Sequence, residues 1–91
     1  MSRLDEQEVA AALRATPGWE RADAEIRRSY RFADFRQALA FVNRVGELAE
    51  RAGHHPDIDI RYNTVTLALT THDAGGLSSK DFDLARAIDH T

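Results

Sequence analysis

Two segments of apolar–polar alternation flank one long segment of helical spacing, and this order constrains the fold more than any other feature. In the first segment, Trp19 to Phe32, the side chains of Ile26, Tyr30 and Phe32 share one parity and those of Arg27, Ser29 and Arg31 the other. In the second, Ile58, Ile60 and Tyr62 alternate with Asp57, Asp59 and Arg61. Val65, Leu67 and Leu69 then alternate with Thr66, Ala68 and Thr70. Successive side chains of a strand point to opposite faces, so each segment predicts a half-buried hairpin. The turns are expected near Ala22 to Glu25 and at Asn63. Between the hairpins, Phe35, Ala38, Leu39, Val42, Val45 and Ala49 form one helical stripe, which Phe41, Leu48 and Ala52 widen. Asp34 can cap this helix and Gly53 can stop it.

A helix is expected at each end as well. Asp5 and Glu8 have the spacing of a capping box, Val9, Ala12 and Leu13 follow on one stripe to about Arg14, and Thr16-Pro17-Gly18 ends the run. After the Gly75-Gly76 break, Ser78 and Asp81 form a second box, with Leu77 and Phe82 at the staple positions and Leu84, Ala85 and Ile88 continuing the apolar face. The order helix, strand, strand, helix, strand, strand, helix predicts an α+β fold. It is a four-stranded antiparallel sheet with three helices packed on one face. The 91 residues suit a single domain spanning 1–91. A core this small favours oligomerisation, and the long helix has a wider apolar face than one sheet requires. A homodimer or homotetramer is expected.

Composition narrows the function classes. Cysteine is absent, which removes disulfides, thiolate ligands and cysteine nucleophiles. The net charge of -3 argues against direct nucleic-acid binding, although Arg27, Arg28, Arg31 and Arg36 suggest a local basic patch and Asp57 and Asp59 an acidic stretch. Lys80 is the only lysine, a bias read as one of coding. No segment has the apolar length of a membrane span, and Met1 to Glu8 has no apolar signal segment, so a cytoplasmic protein is expected.

Histidine is the side chain best suited to acid–base chemistry near neutral pH. Of His54, His55, His72 and His90, the last is penultimate and expected to be solvated. His54 and His55 follow the helix stop, and His72 is expected to end the fourth strand, off the core parity. Glu50 lies four residues before His54, about one helical turn, and Asp81 nine residues after His72. Each has a plain structural explanation: His-His-Pro as a loop, His72 as a surface residue, Asp81 as a capping acid, Glu50 as a solvated helix residue. Residue chemistry alone reaches an acid–base site and names no substrate.

The string Glu50-Arg51-Ala52-Gly53-His54-His55-Pro56, followed by Tyr62-Asn63, Thr70-Thr71-His72-Asp73, Gly76-Leu77-Ser78 and Asp81, resembles the signature of the pterin-4a-carbinolamine dehydratases. That family includes dimerisation cofactors of a homeodomain transcription factor, hepatocyte nuclear factor. The resemblance extends over the whole chain, with Trp19 after the first helix and aromatics between Phe32 and Phe41. It implies dehydration of 4a-hydroxytetrahydrobiopterin, or a related pterin, to the quinonoid dihydropterin. That step recycles the cofactor of aromatic amino-acid hydroxylases, which are implied pathway partners. It implies His54 and His72 as proton-transfer groups, His55 as a pterin-orienting group, and Glu50 and Asp81 as supporting carboxylates. The pterin is the substrate, and neither a metal nor a resident cofactor is implied. Two positions depart from the family pattern: Ile58 stands where an aromatic is usual, and Gly53 where some members are acidic. Two other classes compete, a non-catalytic binding module (transcriptional cofactor or assembly chaperone) and a metal protein using the histidines. Retention of all three histidines favours the enzyme.

Overall fold

A computed structural model describes residues 2–91; Met1, at the head of the polar N-terminal segment, lies outside the described residues. The elements follow the expected order. They are α1 (Glu6–Arg14), β1 (Glu20–Ala22), β2 (Glu25–Arg31), α2 (Phe35–Ala52), β3 (Asp57–Arg61), β4 (Thr64–Leu69) and α3 (Ser79–Asp89), with a short 3-10 turn at His72–Ala74.

Local chemistry sets the helix ends. Both capping boxes form: the Glu8 N–H donates to Asp5 Oδ1 at 2.8 Å and the Asp5 N–H to Glu8 Oε1 at 2.9 Å. At α3 the Ser78 N–H donates to Asp81 Oδ2 at 3.0 Å, and Leu77 and Phe82 are both buried beside it. Asp34 accepts the Gln37 N–H at 2.8 Å. Gly53 ends α2 at φ +62°, the left-handed conformation that glycine adopts without a Cβ penalty.

The sheet order is β1-β2-β4-β3, antiparallel throughout. Register puts Ile26 opposite Leu69, Tyr30 opposite Val65 and Ile60 opposite Val65 from the other side. These side chains share one face, and the three helices cover it. The core joins Ile26, Val65, Leu67 and Leu69 of the sheet to Val9, Ala38, Phe41, Val45, Ala49, Phe82, Leu84 and Ile88 of the helices. Each fully buried large aliphatic or aromatic side chain contributes roughly 1.5–3 kcal/mol.

Four expectations are corrected. Tyr62 is not a strand residue: it opens the two-residue turn with Asn63 at φ +53° and is exposed. Phe41, expected on the excess apolar face, stacks on Tyr30 and Phe32 in the core, with centroids at 4.6 and 5.0 Å. The uncovered apolar residues are instead Phe35 and Leu39 of α2 with Ile58 and Ile60 of the edge strand β3. The arginine patch is dispersed, because Arg27 pairs with Glu25 while Arg28 turns to Asp89. Finally, β4 closes at Leu69, so His72 opens the 3-10 turn rather than ending a strand. The left-handed Gly75 and a Thr71–Gly76 bridge fold the chain back on itself there.

Candidate active site

The site is assembled where α2 stops and α3 starts. The stop is a double hydrogen bond: the Gly53 N–H reaches the Glu50 carbonyl at 3.3 Å and the His54 N–H reaches the Ala49 carbonyl at 3.1 Å. His54 is therefore tied by its backbone to the last turn of α2, and its ring faces α3. Its Nε2 lies 2.6 Å from Asp81 Oδ1, and the side chains are 11% and 0% exposed. His55 takes the opposite direction, 62% exposed, and its Nε2 bonds the Glu50 carboxylate. Adjacent histidines thus point apart, each with its own carboxylate.

Partner assignments differ from those the spacing suggested. Glu50 meets His55 and not His54, because the chain leaves the helix at Gly53 and the one-turn relation is lost. Asp81 meets His54 and not His72. It does meet the neighbour of His72: the Thr71 hydroxyl donates to Asp81 Oδ2 at 2.9 Å. Asp81 thus divides its duties, Oδ2 serving the helix start and Oδ1 the histidine. Among the described residues no buried side-chain nitrogen or oxygen lacks a partner, so this polar cluster is fully satisfied.

His54 and His72 line different clefts. Around His54, Ala52, Lys80, Asp83 and Leu84 enclose about 200 Å³. His72 is exposed and lines a cleft of about 440 Å³ with Asp23, Ala24, Glu25 and Thr70. That cleft shares Asp23, Ala24, Gly75 and Gly76 with a larger groove running to α1. Ile58, the departure from the aromatic pattern, pairs with Leu67 on β3 and belongs to the exposed apolar surface. His90 is exposed and its Nδ1 bonds the Arg86 carbonyl, away from the other three. Among the described residues no three of His, Asp and Glu converge as metal ligands.

Sequence reasoning missed Thr71, Ser78 and Lys80 as site residues. Thr71 had a readable signal: it continues the core parity of Val65, Leu67 and Leu69, where a hydroxyl must find a buried partner. Lys80 had none, because its place beside His54 depends on how α3 docks on α2.

Fold and site define a small α+β domain with paired imidazole–carboxylate groups at a helix junction. The family model for pterin 4 alpha carbinolamine dehydratase matches residues 2–91. A Chloroflexus aurantiacus protein that bears the provisional name pterin-4-alpha-carbinolamine dehydratase is 62% identical over 89 residues, covering 98% of this chain and 96% of that one. A Thermomicrobium roseum protein of the same provisional name is 57% identical over 88 residues, covering 97% and 95%. The crystal structure of a transcriptional coactivator/pterin dehydratase from Brucella melitensis superposes with a TM-score of 0.93 at 36% identity, covering 98% of this chain and 97% of that one. The chain belongs to the pterin-4a-carbinolamine dehydratase family.

Proposed function

We propose that this protein is a 4a-hydroxytetrahydropterin dehydratase. The observation that carries the reading is the buried His54–Asp81 pair, one imidazole nitrogen held at 2.6 Å and the other left for a substrate. In the reaction the C4a–O bond breaks, N5 gives up its proton, a C4a=N5 double bond forms and water leaves. The oxygen needs a proton from an acid and N5 needs a base. His54 and His72 carry these transfers from separate clefts linked through one bonded cluster, since His72 follows Thr71 and Thr71 bonds the Asp81 that holds His54. His55, exposed and paired with Glu50, binds and orients the pterin. No oxidant enters the balance. The product is the quinonoid dihydropterin; the reading carries with it a cytoplasmic location and an aromatic amino-acid hydroxylase in the same pathway.

The test is dehydration of a synthetic 4a-hydroxytetrahydropterin, read above its non-enzymatic rate. His72→Ala should lower turnover about 100-fold with an unchanged circular dichroism spectrum, because its ring is exposed and outside the core. Unchanged turnover would remove His72 from the reaction. No rate above background in the parent would end the dehydratase reading.

The family and the exposed Phe35, Leu39, Ile58 and Ile60 together favour a homodimer or homotetramer built on this surface. Sedimentation should show an oligomer at micromolar concentration, and Leu39→Glu with Ile58→Glu should shift it towards monomer. A monomeric parent would contradict the assembly. The same surface would serve a protein-binding role of the kind that the Brucella melitensis coactivator bears in its name.

A further inference from the structure

Thr71 is buried at the exit of β4, and its hydroxyl stands between a second hydroxyl and a carboxylate. Ser78 Oγ lies at 2.7 Å and Asp81 Oδ2 at 2.9 Å. Counting protons gives the chain a direction. A hydroxyl has one proton to donate, and a carboxylate can only accept. The Thr71 proton therefore goes to Asp81, and the Ser78 proton goes to Thr71. Ser78 Oγ meanwhile accepts from the start of α3, including the Lys80 N–H at 3.3 Å.

The rotation of a carboxylate about its last torsion is broad and soft. The Ser78 N–H alone would leave Asp81 free to swing. A second donor from a different element removes that freedom: Ser78 belongs to the helix start and Thr71 to the strand exit. With Oδ2 occupied by both, Oδ1 is presented to His54 Nε2. An acceptor there requires the ring proton to sit on Nε2. The neutral ring then offers a bare Nδ1, the form a base needs.

We propose that Thr71 is a positioning residue that acts through Asp81 to fix the ring tautomer of His54. The proposal rests on the reading of His54 as a proton-transfer group. Thr71 touches no substrate; it determines which nitrogen of His54 is ready to accept a proton.

Thr71→Val keeps the shape and deletes the hydroxyl, and Thr71→Ser restores it. The first readout is the pair of ring nitrogen signals of His54 by 15N NMR. The second is kcat and KM for the synthetic 4a-hydroxytetrahydropterin, scaled to the folded fraction from urea unfolding. In Thr71→Val the His54 signals should move away from the Nε2–H tautomer. Its kcat should fall about tenfold with KM held within about twofold, and Thr71→Ser should recover both. If valine prevents folding, Thr71→Cys, a weaker donor of similar size, should show the same changes to a smaller degree. A folded variant with parental ring signals, or with parental kcat, overturns the proposal. If the parent lacks dehydration but Thr71→Val still moves the His54 signals, the positioning stands and the proposed activity falls.

Discussion

Asp81→Asn is expected to lower turnover per folded molecule about 1000-fold, more than His72→Ala does. Asparagine has the shape of aspartate, but one of its two atoms is now a donor. At the Oδ2 position that donor would face the Ser78 N–H and the Thr71 hydroxyl, leaving buried donors against one another. At the Oδ1 position it would face His54 Nε2 and force the ring proton onto Nδ1. The second arrangement disturbs fewer bonds, so the protein should fold with the wrong tautomer of His54. A stability loss of about 1–2 kcal/mol should accompany it. Asp81→Glu keeps the charge, but the position is fully enclosed, so one more methylene should cost about 1–3 kcal/mol. Urea unfolding and steady-state kinetics on both variants separate the two duties. Normal turnover per folded molecule in Asp81→Asn would reduce the residue to a helix cap.

Asp89→Ala should destabilise the fold by about 2–4 kcal/mol, with no direct effect on the site. Its carboxylate is 20% exposed and accepts from Trp19 Nε1 at 2.8 Å, Tyr30 Oη at 2.5 Å and Arg28 at 3.2 Å. These bonds tie the end of α3 to β2 and to the chain that follows α1. Most of the loss comes from the Trp19 N–H, which alanine strands in a buried place. The partly exposed Arg28 adds little. Burial, with the bond to Asp89, holds the Tyr30 hydroxyl well above its ordinary pKa of 10.0. A raised pKa means the unfolded chain releases the proton first. The stabilisation is complete below about pH 10 and falls as pH rises further. Thermal unfolding between pH 8 and 11 should show this decline in the parent and a weaker one in Tyr30→Phe. Asp89→Ala with parental stability would dismiss the cluster as incidental.

Local rules made most of the fold legible. Both capping boxes, the Asp34 cap and the Gly53 stop involve residues within a few positions of one another, and all formed as spacing suggests. Alternation placed Ile26, Val65, Leu67 and Leu69 on the buried face. Strand order was not legible, and it decides which flank of α2 is covered. Because β4 lies between β2 and β3, Phe41 meets Tyr30 and Phe32 while Phe35 and Leu39 are left exposed. The candidate site residues were legible as residue types in a pattern, but their pairing was not. A glycine in the left-handed conformation redirects the chain, so helical spacing stops predicting neighbours at Gly53. The Asp89 cluster joins residues 59 to 70 positions apart, and no short-range signal reaches that far.

The two imidazole–carboxylate pairs differ in how far apart their members lie along the chain. His55 and Glu50 are five residues apart, and a peptide carrying one helix end could bring them together. His54 and Asp81 are 27 residues apart and meet only when the last helix has closed on the second. The buried pair thus depends on long-range docking of α3 on α2, and the exposed pair does not. A chain with α3 detached from α2 would keep every histidine and lose the carboxylate that His54 bonds. Anything that loosens α3 from α2 should therefore break the His54–Asp81 contact while leaving His55 and Glu50 within reach of one another.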